Sequence, residues 1–277
     1  MTAPDAPAPL AAGVATPSGT TGRSAEPAPA SGTSRPPLVW TEPFTIRAYE
    51  VGPDETASVL TVCDLLQEAA GEHARVSGRE GFPLPNGGWA TWVMSRLRLQ
   101  MRRQPRMRER VEVTTWPAAL DGLRATRDFR VVSGAETLAA ATSLWFLIDV
   151  GRRRPVRLPT AMDGFAATDQ PRALTLDDAP EPLAPDAAEH DAEFRVRRSD
   201  LDRVGHANNV RFVEWALEAL PDDAGLAEVD VLYRSEAVAG DRVRSEAGPL
   251  VGGARAHRLS RESDGRILAL ARTVWSP

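Results

Sequence analysis

Two rhythms of apolar and polar residues run through the chain from Leu38 onward. Between Val59 and Ala70 the polar side chains Thr61, Asp64 and Glu68 recur at steps of three and four, and nearly everything between them is apolar. That spacing confines the polar groups to one narrow stripe of a helix whose remaining circumference is buried. The segment Asn209 to Leu220 repeats the pattern, with Arg211, Glu214 and Glu218 as the stripe. Elsewhere the rhythm shortens to two. Val229, Val231 and Tyr233 alternate with other residues, and strand-like stretches follow at about 241–247, 253–262 and 266–275. Before the second helix the same rhythm predicts strands at about 90–101, 110–118, 124–132 and 137–148.

The two halves are copies of one plan. FTIRAYE (44–50) aligns with FRVRRSD (194–200), and the two helical segments then align without a gap. The ends match as well, LAAATSLW (138–145) with LALARTVW (268–275). Each half reads as a strand, a buried helix and four antiparallel strands. A sheet wrapped round an apolar helix covers it from water. The predicted fold class is therefore α+β, a tandem double hotdog in which each half is an antiparallel sheet around one helix.

Composition sets the boundaries. Residues 1–37 are rich in Ala, Pro, Ser, Thr and Gly, with almost no large apolar side chains, and read as a disordered tail. Residues 38–160 form the first hotdog. Residues 161–191, rich in proline and acidic groups, read as a linker, and 192–277 form the second hotdog. No apolar run reaches bilayer length, so no membrane association is expected. All 33 basic residues are arginine, and the net charge of −5 argues against nucleic acid as a partner. The one cysteine, Cys63, excludes an intrachain disulfide and CxxC metal sites, and it fits a reducing cytoplasmic compartment. The histidines His73, His190, His206 and His257 show no HxxxH spacing, so neither a metal nor another cofactor is expected.

Several ordered segments carry a resemblance to a family. IRAYEVGPDETASV with LLQEAAGEHA (46–74), WVMSRLRLQMRRQP (92–105) and ATSLWFLIDVGRRRPVRLP (141–159) resemble the first hotdog of the acyl-[acyl carrier protein] thioesterases. SDLDRVGHANNVRFVEWALEALP (199–221) and VDVLYRSEAVAGD (229–241) resemble that family's second. The resemblance implies hydrolysis of fatty-acyl thioesters on an acyl carrier protein, with the acyl pocket in the first half and catalysis in the second. Two positions depart from the family's pattern. Val204 stands where the family usually has asparagine, and Ala237 where it has cysteine, which leaves a cysteine nucleophile without support.

The chemistry requires an activated water, a stabiliser for the tetrahedral oxyanion and an acid for the departing thiol. Asp202, His206 and Glu236 are the candidate catalytic residues, either carboxylate serving as base and His206 polarising the carbonyl or protonating the thiol. The segment Gly205 to Asn208, at the start of the second helix, is expected to offer unsatisfied N–H groups to the oxyanion. Trp92 is a candidate pocket wall. Each residue also has a plain structural reading: Asp202 as a turn former, Asn208 or Asn209 as helix cap, Glu236 as a solvated strand residue. The first half has Gly52 and Thr56 at the positions of Asp202 and His206, so one active site per chain is expected. Arg96, Arg98, Arg102, Arg103, Arg106, Arg108 and Arg110, with Arg152 to Arg154, form candidate docking patches for an acidic carrier protein. Hydrolysis of acyl-CoA or polyketide-type thioesters, and acyl-thioester binding without cleavage, are the alternatives. Val204 keeps the last open. Paired hotdogs in one chain are compatible with a monomer or a homodimer.

Overall fold

The computed structural model describes residues 37–176, 181–221 and 225–276. The expected disordered tail thus lies outside the described residues, except for Pro37. The first half runs β1 (Trp40–Thr45), α1 (Val59–Val76), β2 (Gly81–Pro83), β3 (Trp89–Met101), β4 (Arg110–Asp121), β5 (Arg124–Ser133), β6 (Glu136–Asp149) and β7 (Arg154–Val156). The second runs β8 (His190–Arg195), α2 (Asn209–Glu218), β9 (Leu226–Tyr233), β10 (Arg242–Ala247), β11 (Ala254–Arg261) and β12 (Ile267–Trp275). The predicted strands and helices are all present. The short hairpin strands β2 and β7 are additions, pairing with β3 and β6.

The strands join in one sheet of order β1-β4-β5-β6-β3-β9-β12-β11-β10-β8. Read from its centre outwards, each half presents the same order, so the duplication visible in the sequence is a two-fold repeat in space. The inner faces of the two half-sheets pack on the helices. α1 buries Val62, Cys63, Leu65, Leu66 and Ala69, and α2 buries Val210, Phe212, Val213, Trp215 and Ala216. The polar stripes of the two helices approach each other. Gln67 Nε2 donates to Asn208 Oδ1 at 3.2 Å. Burial pushes the Asp64 carboxyl above the usual carboxylate range, and the nearby Arg211 partly opposes this.

The seam between the halves is the β3–β9 pair, and its chemistry differs from one copy to the other. Arg98 lies opposite Asp230. Arg96 makes two hydrogen bonds to Asp230, at 2.9 and 2.7 Å, with both side chains almost fully buried. Arg98 makes two 3.2 Å contacts to Glu228, which also accepts from Gln100 at 2.6 Å. Two first halves paired in this register would set arginine against arginine. The charges therefore specify that a first half pairs with a second half.

These contacts also correct the reading of the arginine cluster as a single docking patch. Arg96 and Arg98 are committed to the seam, and Arg103 is held by Glu109 and Glu136. Arg102, Arg106, Arg108 and Arg110 remain exposed.

The expected linker, 161–191, is fastened to the first half at several points. Met162 and Phe165 are buried. Arg172 Nε and Ala173 N both donate to the buried Asp128 carboxylate at 2.8 Å, and Arg98 Nη1 donates to Thr175 O at 2.9 Å. β8 begins at His190, inside the span read as linker.

Candidate active site

The loop entering α2 is built round Asp202. Its Oδ1 accepts from Val204 N at 2.9 Å and His206 N at 3.2 Å, and its own N–H donates to His206 O at 2.8 Å. This is an Asx turn closed by a backbone bond. Gly205 sits in it at φ +87, in the left-handed region that favours glycine. A Cβ there would meet no atom within 4 Å, so backbone conformation explains the glycine and close packing does not.

The turn presents His206 to Glu236. His206 Nε2 lies 3.1 Å from Glu236 Oε2, each side chain about one third exposed (37% and 34%). Glu236 lies just beyond β9, in a loop pinned from three sides. Ser235 N donates to Leu268 O at 3.1 Å, Arg261 Nη2 to Glu236 O at 2.8 Å, and Ala207 N to Ala237 O at 2.8 Å. The dyad therefore rests on backbone bonds, with little freedom to drift. Among the described residues the Asp202 carboxylate makes no hydrogen bond to either dyad side chain, and its Oδ2 has no hydrogen-bond partner.

Sequence reasoning grouped Arg153 with a docking patch and missed its contact with the site. Arg153 reaches across from the first half to Glu236 Oε1. It sits at φ +53 in the β6–β7 turn, where Asp149 Oδ1 accepts from Gly151 N (2.9 Å) and Arg152 N (3.0 Å). Glu236 is thus held between an imidazole of its own half and a guanidinium of the other. Such a contact between halves leaves no signature in linear spacing.

The expected oxyanion donors need correction. The N–H groups of Gly205, His206, Ala207 and Asn208 are all committed, to Asp202 O, Asp202 Oδ1, Ala237 O and Asp200 O. Asn208 is the helix cap, its Oδ1 accepting from Val210 N at 3.0 Å. The first N–H of α2 without an acceptor among the described residues belongs to Asn209, one residue beyond the expected span.

A cavity of about 260 Å³ opens beside this helix end, and most of it lies in the first half. Gln67, Ala70, Gly71 and Ala74 form its α1 wall, and Trp92, Leu120 and Trp145 stand on the sheet side. Arg203 and Asn209 line it from the second half. Trp92 lines this cavity and is fixed by its Nε1 donating to Arg79 O at 2.8 Å. Small side chains on α1 leave the space open.

The first half keeps the site's backbone and lacks its chemistry. Gly52 N donates to Thr56 O at 3.0 Å, and Ala57 N to Pro105 O at 2.7 Å, as in the second half. Where His206 meets Glu236, Thr56 Oγ1 meets Gln104 Oε1 at 3.1 Å. A hydroxyl and an amide titrate nowhere near neutral pH.

An acid–imidazole pair in the loop entering the buried helix of one hotdog, and a cavity lined mostly by its twin, define the class as a tandem-hotdog protein. Comparison with known proteins gives the family. The acyl-ACP thioesterase N-terminal domain matches residues 37–163, and the acyl-ACP thioesterase C-terminal domain matches residues 183–277. The chain belongs to the acyl-ACP thioesterase family. It is 31% identical over 273 residues to a chloroplastic palmitoyl-acyl carrier protein thioesterase of Gossypium hirsutum, covering 87% of this chain and 64% of that protein. It is 29% identical to a chloroplastic dodecanoyl-[acyl-carrier-protein] hydrolase of Cinnamomum camphora, over 87% of this chain and 68% of that one. The solved 12:0-ACP thioesterase of Umbellularia californica superposes with a TM-score of 0.75 at 29% identity, covering 87% of this chain and 98% of that one. An acyl-ACP thioesterase from Bacteroides thetaiotaomicron shares the fold at a TM-score of 0.77 and 21% identity, over 86% and 98%. The chain spans only about 64% of the length of the Gossypium relative. No helix among the described residues is long and apolar enough to cross a membrane.

Proposed function

We propose that this protein hydrolyses fatty-acyl thioesters carried on acyl carrier protein, releasing the fatty acid and the free phosphopantetheine thiol. The observation that carries the reading is the His206–Glu236 contact, in the loop whose neighbouring residues Arg203 and Asn209 line a cavity shared by both halves. Glu236 takes a proton from water as the water oxygen bonds to the thioester carbonyl carbon. The Asn209 N–H, at the positive end of α2, receives the oxyanion. Collapse of the intermediate breaks the C–S bond, and the proton held by the dyad passes to the departing sulfur. His206 orients Glu236 by donating from Nε2. Arg153 fixes the second carboxylate oxygen, so the base is aimed by both halves. Asp202 shapes the loop through Oδ1 and keeps Oδ2 available to hold the water. Val204 contributes no side-chain amide there.

The carrier docks on arginines of the site rim. Arg152, Arg154 and Arg203 are exposed and pair with no acid among the described residues, and the phosphopantetheine arm and acidic carrier complement them. The cytoplasm remains the proposed compartment on cysteine usage. The printed names of the plant relatives place those proteins in the chloroplast. Thiol release from acyl-ACP and acyl-CoA of matched chain length tests the reading. Turnover of acyl-ACP well above acyl-CoA supports it, preference for acyl-CoA points to a CoA thioesterase, and binding without thiol release rules out hydrolysis.

A further inference from the structure

We infer that Met162 and Phe165, on the segment leaving the first hotdog, form the end stop that sets the acyl length this site accepts. The inference rests on the proposed thioesterase reading and concerns the far end of the same cavity. Its near end is fixed by Gln67, hydrogen-bonded to the Asn208 cap, and by Asn209. Along α1 the lining continues through Ala70 and Gly71 to Ala74. Seven residues of helix at 1.5 Å rise give a channel of about 10 Å from Gln67 to Ala74. Beyond Ala74 the lining passes to Arg79, Met162 and Phe165.

These two apolar side chains are each only 3% exposed. They belong to a small cluster with Phe82, Ala90 and Leu147, separate from the main core. Phe165 is gripped on two sides, by the Arg79 guanidinium 4.2 Å from its ring centroid and by the His73 ring at 5.4 Å. Arg79 Nη2 also donates to Ala161 O at 3.1 Å. The backbone of the segment bonds mainly to itself, Met162 N to Pro159 O, Asp163 N to Thr160 O and Phe165 N to Met162 O. Behind the ring the wall turns polar. Arg127 Nη1 lies 2.9 Å from His73 Nδ1, with no carboxylate partner among the described residues. Burial brings that guanidinium down to about 10, and burial with Arg127 beside it brings His73 down to about 4. An alkyl chain longer than the channel would have to displace an aromatic ring and press on a buried cation.

The test is a chain-length profile of kcat/KM on acyl-ACP substrates from C8 to C18, for the wild type, Met162→Ala, Phe165→Leu and Met162→Phe. In the first two variants the ratio of longer to shorter substrates should rise, by about tenfold for each methylene newly accommodated. Met162→Phe should move the profile the opposite way. The opposed directions separate a stop from general loosening, which would lower all substrates together. Wild-type turnover with one unchanged length profile in all three variants overturns the inference and leaves the proposed function standing. A wild type that releases no thiol from any acyl-ACP overturns the proposed function instead.

Discussion

Removal of one partner from the seam pair Arg96–Asp230 should be among the most damaging single changes in the molecule, and removal of both should be mild. The Arg96 and Asp230 side chains are 6% and 1% exposed. Burial pushes the Asp230 carboxyl above its ordinary range, and the hydrogen bonds and charge of Arg96 only partly bring it back. Desolvation thus outweighs the attraction, which is the expected state of a buried ion pair. Asp230→Asn would remove the carboxylate that accepts two hydrogen bonds from the buried Arg96 guanidinium, at a cost of about 3–5 kcal/mol. For a domain of this size that lowers Tm by on the order of 10 °C. Arg96→Met with Asp230→Leu deletes both charges and should fall within about 1 kcal/mol of the wild type, or above it. Urea denaturation of Asp230→Asn, and of the wild type, Arg96→Met, Asp230→Leu and the double variant that close the cycle, reads both numbers and the coupling between the sites. If Asp230→Asn costs under 1 kcal/mol, or the apolar double variant costs as much as either single one, the seam pair does not have the energetics assigned to it. A costly single variant beside a mild double one shows instead that the pair specifies pairing between unlike halves and contributes little net stability.

Two further outcomes follow from the geometry. Asp202→Asn retains an Oδ1 that can accept from Val204 and His206, so the loop should survive and thermal stability should change by less than about 1 kcal/mol. Asp202→Ala removes the turn and should lower stability further. If Asp202→Asn keeps full activity, the carboxylate charge has no role in holding water. The buried His257 has its imidazole brought down from 6.5 to about 4, chiefly by burial. Between those values the unfolded chain binds a proton that the folded chain refuses, so its contribution is complete above about pH 6.5 and is lost as pH falls toward 4. It is worth up to about 3 kcal/mol. His257→Gln should flatten the fall in urea midpoint between pH 7 and pH 4.5, and an unchanged slope would refute the assignment.

The duplication was legible because each helix and strand carries its own periodicity. Aligning the helical segments was enough to expect one site per chain, and Thr56 and Gln104 show what replaces it in the other half. The family resemblance grouped Asp202, His206 and Glu236, and of these the His206 and Glu236 side chains meet at 3.1 Å. Other features depend on contacts between distant strands. Nothing in the spacing of Arg96 and Arg98 distinguishes a seam ion pair from a solvated face, because their partners lie on β9. Arg153 reaches Glu236 only because the β6–β7 turn of one half overhangs the loop of the other. Met162 and Phe165 sit in a stretch whose proline and acidic content reads as linker, yet two apolar residues suffice to anchor it. The donors expected from Gly205 to Asn208 turned out to be committed because Asp202 and the neighbouring loops use them.

The most direct measurement of the central claim is single-turnover thiol release from an acyl-ACP within the accepted length range, by the wild type and by Glu236→Gln. The amide preserves the side chain's shape and its contact with His206 while removing the base. The account predicts release by the wild type and a loss of at least about a hundredfold in Glu236→Gln, with unchanged far-UV circular dichroism and Tm. Release by Glu236→Gln at the wild-type rate would contradict it.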